Sequence, residues 1–145
     1  MANIKIVFWT GTGNTETMAE AIAEGIESAG SVAEVVNVAD TTADECKDLP
    51  YIILGCPAMG NEELEESEFA PFFEELLPSL AGKKVALFGS YSWAEGEWMD
   101  TWSQTCLDNN VDLFDGHGLI AFDDPEEEDL AKCRDLGKRF AQAVA

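Results

Sequence analysis

Residues 51–55, Tyr-Ile-Ile-Leu-Gly, form a near-continuous apolar run, the pattern of a β-strand buried on both faces. Such strands belong to parallel sheets covered by helices above and below. The rest of the chain alternates accordingly. Residues 4–8 are a short apolar strand. Met18, Ile22, Ile26 and Ala29 then recur at helical spacing, with Gly30 as a natural C-terminal stop. Residues 32–38 are a second strand. Phe69, Phe72, Phe73, Leu76 and Leu77 mark a helix ended near Pro78, and residues 84–90 are a fourth strand. A helix over about residues 97–107 is followed by strand segments around 111–114 and 119–122. The last helix begins near Pro125, with Leu130, Cys133, Leu136, Phe140 and Ala143 as its apolar stripe. Five strands alternating with helices predict an α/β fold with a parallel sheet and helices on both faces. Ligands of such sheets bind at the carboxyl ends of the strands, so the loops after Phe8, Leu54 and Phe88 are the candidate site.

At 145 residues and 46% hydrophobic composition, one domain spanning residues 1–145 is expected. Acidic residues number 29 against 8 basic ones, a net charge of −21. That excess argues against nucleic acid and anionic membranes, which require a cationic footprint. It reads equally as plain solubility or as an acidic face that steers towards basic partners. No stretch reaches the roughly 20 apolar residues of a membrane helix. The opening residues run straight into a strand and lack the pattern of a signal peptide, which points to the cytoplasm. Cys46, Cys56, Cys106 and Cys133 are scattered and His117 is the only histidine, so no metal site is expected. Free, mostly buried thiols in a reducing compartment account for them.

The first candidate loop reads Trp9-Thr10-Gly11-Thr12-Gly13-Asn14-Thr15 and leads into the first helix. Glycines let several N–H groups curl inwards, Thr10, Thr12 and Thr15 add hydroxyls and Asn14 adds an amide. The helix N-terminus contributes about half a positive charge. Caps and turns alone need fewer donors than these. The loop lacks the lysine of a GxxxxGK[ST] triphosphate loop, and Glu16 stands where a dinucleotide GxGxxG needs its third glycine. A phosphomonoester held by neutral donors is the remaining candidate. Each hydrogen bond to a charged oxygen contributes roughly 1.5–3 kcal/mol, so several can replace one lysine.

Thr-Gly-Thr-Gly-Asn-Thr after an apolar strand resembles the FMN-phosphate loop of flavodoxins. The resemblance spans essentially the whole chain. It is closest to the short-chain class of anaerobic bacteria, because no long insertion interrupts the fifth strand. It implies a doubly wound, flavodoxin-like five-stranded parallel sheet in the order 2-1-3-4-5, non-covalent FMN and no metal.

It also assigns roles in the other two loops. In similar proteins the peptide matching Gly60-Asn61 turns over on reduction, and the Gly60 carbonyl accepts a hydrogen bond from flavin N5–H. An ordinary surface turn would use the same two residues. Glu62 accepts from flavin N3–H, while Met59, beside Ala58, packs on the inner face of the ring. Pro57 departs from the family, which often carries a hydroxyl there; proline offers neither hydroxyl nor N–H, so a looser phosphate grip is expected. In the third loop, Ser90-Tyr91-Ser92-Trp93-Ala94-Glu95-Gly96, position matching makes Trp93 the outer stacking ring, and Trp98 packs the helix unless the two exchange roles.

The resemblance implies a low-potential one-electron carrier, shuttling between semiquinone and hydroquinone, with no catalytic residue of its own. Its expected partners are redox enzymes with basic docking faces, reductases and oxidoreductases that otherwise use ferredoxin, met by a monomer. The acidic run Glu62, Glu63, Glu65, Glu66, Glu68 is read as the docking patch beside the flavin, or else as a solvated face. Residues 123–129 are read as an acidic helix start without function.

Other classes fail on particular residues. A phosphoacceptor domain needs acids after the first strand and an Asp after the third, where this chain has Trp9-Thr10 and Cys56-Pro57. A cysteine phosphatase needs Arg six positions after Cys56, where Glu62 stands. A calcium loop from Asp108 would put Leu113 and Leu119 at its glycine and bidentate positions. The alternative on the same fold is an FMN-dependent quinone or NAD(P)H oxidoreductase, for which two covered flavin faces leave little room.

Overall fold

In the computed structural model, which describes residues 2–11, 13–59, 64–92 and 96–144, the apolar run at 51–55 is a central strand of a parallel sheet. The elements follow in the order β1 (Asn3–Phe8), α1 (Asn14–Ser28), β2 (Val32–Asn37), α2 (Ala43–Cys46), β3 (Tyr51–Gly55) and α3 (Phe69–Leu76). They continue with β4 (Lys84–Tyr91), α4 (Glu97–Asp108), β5 (Asp112–Leu113), β6 (Leu119–Phe122) and α5 (Glu127–Val144). The sheet order is β2-β1-β3-β4, with β5 and β6 both on the outer edge of β4.

The fifth strand is thus one position in the sheet filled by two segments. β5 pairs at Lys84–Val85 and β6 at Phe88–Tyr91. Between them Asp115 and Gly116 take left-handed conformations at φ 63 and 73°, which lifts the chain off the sheet edge. Arg139 from α5 holds that excursion, donating to both Asp115 oxygens at 2.8 and 3.1 Å.

Successive residues of β3 and β4 serve opposite cores, as the pleat requires. Ile52, Leu54, Val85 and Leu87 pack under α2, α3 and α4. Ile53, Ala86 and Phe88 pack under α1 and α5. Each of these fully buried Val, Leu, Ile and Phe side chains contributes roughly 1.5–3 kcal/mol. α1 and α5 lie so close that a Cβ on Gly25 would stand 1.9 Å from the Arg134 carbonyl oxygen. One on Gly137 would stand 2.0 Å from that of Ile22. The α3/α4 side is aromatic: Trp102 meets Phe69 and Phe73 edge-on at 5.5 and 5.8 Å.

All four cysteines are free and buried. Burial pushes the Cys56, Cys106 and Cys133 thiols up to about 12 and raises Cys46. No described helix is long and apolar enough to cross a membrane.

Candidate cofactor site

The loops after β1, β3 and β4 leave the same edge of the sheet and are stitched to one another by backbone. Trp9 N–H donates to the Gly55 carbonyl at 3.0 Å, Cys56 to Phe88 at 3.1 Å and Ala58 to Ser90 at 2.9 Å. Asp123 N–H closes the row on the Tyr91 carbonyl at 2.6 Å. These bonds extend the sheet ladder past the strand ends, so the loops are carried by the rigid part of the fold.

Between them lies a cavity of about 340 Å3. Gly11, Asn14, Pro57, Ala58, Met59, Ser90, Tyr91 and Ser92 line it, one group from each of the three expected loops. Thr12, Gly60, Asn61, Glu62, Trp93 and Ala94 lie outside the described residues. Thr10, Gly13 and Thr15 support the wall from behind. The Thr10 hydroxyl accepts from Gly13 N–H at 2.9 Å. Thr15 is buried, its hydroxyl 3.3 Å from that of Ser90, which ties the first turn of α1 to the end of β4. Gly96 does not line the cavity; it opens α4 at φ 83°.

The head of α1 suits an anion. Gly13 takes φ 96° at the N-cap, a conformation costly for any residue with a Cβ, and no described side chain caps the helix. Its leading amides are therefore left for a ligand at the positive end of the helix dipole.

Three features of the site escaped the sequence. Trp9 lines the cavity, and its indole donates to Glu68 Oε1 at 3.2 Å, joining the first loop to the start of α3. Asp123 and Asp124 also line it, although residues 123–129 read only as a helix start; α5 begins at Glu127, and Asp123, at φ 54°, turns the chain towards the cavity. Among the described lining residues there is no lysine or arginine.

The third concerns the acidic run, where the structure corrects the docking-patch reading at Glu65, while Glu62 and Glu63 lie outside the described residues. Glu65 is buried. Its carboxylate accepts from the Ser67 hydroxyl and from the amides of Ser67, Glu68 and Phe69, the amides at 2.9, 2.7 and 3.0 Å. Burial raises its pKa, but the four hydrogen bonds outweigh that and hold it below the usual carboxylate range. Glu65 is thus the anion that starts α3. Glu66 and Glu68 remain exposed, and Glu68 accepts from the Trp9 indole. An acid just ahead of an apolar helix was the available signal.

Trp98 belongs to the core, as the helix-packing reading expects. It is 2% exposed, its indole donates to the Cys56 carbonyl at 3.2 Å, and its ring lies 5.7 Å from that of Tyr91.

The profile of one protein family, described as Flavodoxin, matches residues 6–137. The chain is 44% identical over 140 residues to a flavodoxin of Megasphaera elsdenii, covering 97% of this chain and 99% of that one. It is 45% identical over 144 residues to a flavodoxin of Clostridium beijerinckii, covering 95% and 99%. The solution structure of two-electron reduced Megasphaera elsdenii flavodoxin superposes with a TM-score of 0.83, over 96% of this chain and 98% of that one, at 45% identity.

Proposed function

The chain belongs to the flavodoxin family, and from that premise we propose that it carries single electrons at low potential on one non-covalently held FMN. Its full-length relatives are named flavodoxins, which are electron-transfer proteins and not enzymes. The coarse function, an FMN-binding electron carrier, follows from that membership. FMN supplies the redox-active ring, and the protein tunes and positions it.

The observation that carries the finer reading is the charge of the cavity wall. Its described donors are neutral, its charged residues are Asp123 and Asp124, and no described cation lines it. The uncapped head of α1, with Thr10, Gly11, Thr12, Gly13, Asn14 and Thr15, holds the phosphate. The residues after β3, from Pro57 to Glu62, and those from the end of β4 onward, Ser90 to Ala94, enclose the ring and keep water from it. A site built this way opposes added negative charge and keeps the potential low. One carboxylate ~10 Å away in water disfavours an added charge by only about 0.4 kcal/mol, roughly 20 mV, so exclusion of water and absence of cations matter more than the surface acids. With FMN bound, the Gly60 carbonyl would accept a hydrogen bond from flavin N5–H, a contact available only when that nitrogen carries a proton. The partners are redox enzymes with basic faces, met by a monomer in a reducing compartment, for which the free thiols and the charge of −21 speak.

An anaerobic dithionite titration of the purified protein tests this. Flavin absorbance followed by a long-lived blue form at half reduction is expected. A protein that takes up no FMN overturns the assignment, and direct two-electron bleaching overturns the one-electron reading. Replacing Asp123 and Asp124 together by Asn should raise the potential of the second step.

A further inference from the structure

A second concavity, larger than the cofactor site at about 510 Å3, lies between α3 and α4. Its floor is Phe73, Trp98 and Trp102, and its apolar walls include Leu64, Pro71 and Leu77. Glu66 and Glu74 stand exposed on its rim. A shallower depression shares Thr101 and Thr105 with it and is bounded by Asp100 and Asp108. Neither is lined by a described lysine or arginine.

We propose that this groove seats a basic amphipathic segment of the redox partner, an apolar side chain entering over Trp98 and Trp102 while lysines or arginines meet Glu66 and Glu74. The inference rests on the electron-carrier reading and says where on the surface the partner docks. Three observations carry it. The first is charge complementarity: an apolar floor inside an acidic rim fits a cationic amphipath, and a second copy of a chain with net charge −21 is repelled. The second is a donor without an acceptor. The Trp102 indole N–H is buried in the wall of the groove and makes no hydrogen bond to any described residue, which marks this packing as incomplete. The third is continuity with the cofactor site. Trp98 lines the groove, donates to the Cys56 carbonyl and packs on Tyr91, and Tyr91 lines the cofactor cavity. A segment seated in the groove is therefore separated from the cofactor cavity by two packed rings, Trp98 and Tyr91.

The test follows the four tryptophan indole N–H signals of the FMN-loaded protein by NMR while a helical Leu/Lys peptide is added. A Lys/Ser peptide without an apolar face and a Leu/Glu peptide are the comparisons. Saturable movement of the Trp98 and Trp102 signals with the Leu/Lys peptide alone is expected. Reversing the rim by Glu66→Lys with Glu74→Lys should weaken binding about tenfold or more, while the same charge change on α1, Glu20→Lys with Glu27→Lys, should weaken it less than about threefold. The same pairs should rank alike in the rate of electron transfer to cytochrome c, a lysine-rich acceptor, with FMN content and dithionite reduction unchanged.

Equal losses from both pairs, or equal binding of the Lys/Ser peptide, would mean attraction by net charge and overturn the groove. Indole signals that move with protein concentration would assign the face to self-association instead. A chain that failed to hold FMN would defeat the cofactor reading separately, and the peptide titration of that same chain would still decide the groove.

Discussion

On one face of the sheet α1 and α5 close on each other through Gly25 and Gly137, backbone against backbone. On the other, α3 and α4 meet through the rings of Phe69, Phe73 and Trp102 and leave a groove beside them. Both faces bury fully apolar strand residues, so the difference is not one of hydrophobicity. Two helices in contact through glycines leave no room for anything else. Two helices spaced by large rings pack tightly at the rings and open elsewhere. The glycine face holds the sheet and presents the head of α1 to the cofactor cavity through Asn14. The aromatic face holds the sheet and also borders the cofactor cavity, through Trp98 and Tyr91.

Enlarging a small residue on each face is the sharpest way to break this contrast. Gly25→Val drives new atoms into the Arg134 carbonyl and should cost about 3 kcal/mol, read as a lower urea midpoint at unchanged slope. A neutral result would mean that α1 and α5 can separate freely, and the comparison would fall.

Glu65→Gln strikes the start of α3. It removes a buried, four-fold bonded carboxylate and should cost about 2 kcal/mol at neutral pH. Because folding lowers the Glu65 pKa, its stabilisation is complete above the unfolded value of about 4.3 and is lost as pH falls through the folded value. The difference between wild type and variant should therefore shrink in urea melts taken below about pH 4, and a pH-independent gap would refute the role of its charge.

Ala70→Leu is the open-face counterpart of the glycine variant. Its side chain enters the groove, so stability should move by less than about 1 kcal/mol while the Leu/Lys peptide loses affinity. A comparably small effect belongs to the half-exposed link between loop and helix. Trp9→Phe removes the indole bond to Glu68 and should cost about 0.5–1 kcal/mol, with a modest loss of FMN affinity by fluorescence titration.

The strands were legible because a central strand of a parallel sheet leaves an uninterrupted apolar run, as in Tyr51–Gly55, and the helices because Met18, Ile22 and Ile26 repeat at one turn. The candidate anion loop was legible because glycines and hydroxyls between a strand and a helix have few other uses. Less legible was the four-residue α2, too short for periodicity and held by the Thr42 cap on Glu45 N–H at 3.2 Å. The outer strand was legible as two segments, around 111–114 and 119–122, but the turn between them was not, since Asp115 adopts its left-handed conformation in the company of Arg139, 24 residues away. Asp123 and Asp124 look like any acids ahead of a helix until the end of β6 carries them to the cavity.

The sequence by itself determined which segments are strands, which are helices and which loop is the candidate for a phosphate, because these depend on backbone preference and on neighbours a few residues apart. Tertiary structure alone decided what each charge and ring does. Glu65, Glu66 and Glu68 are chemically alike along the chain, yet one is buried as an anchor, one is exposed on a groove and one holds Trp9. The physical reason is that the properties of a carboxylate follow from the water it loses and the donors it gains, and both are set by residues distant in sequence.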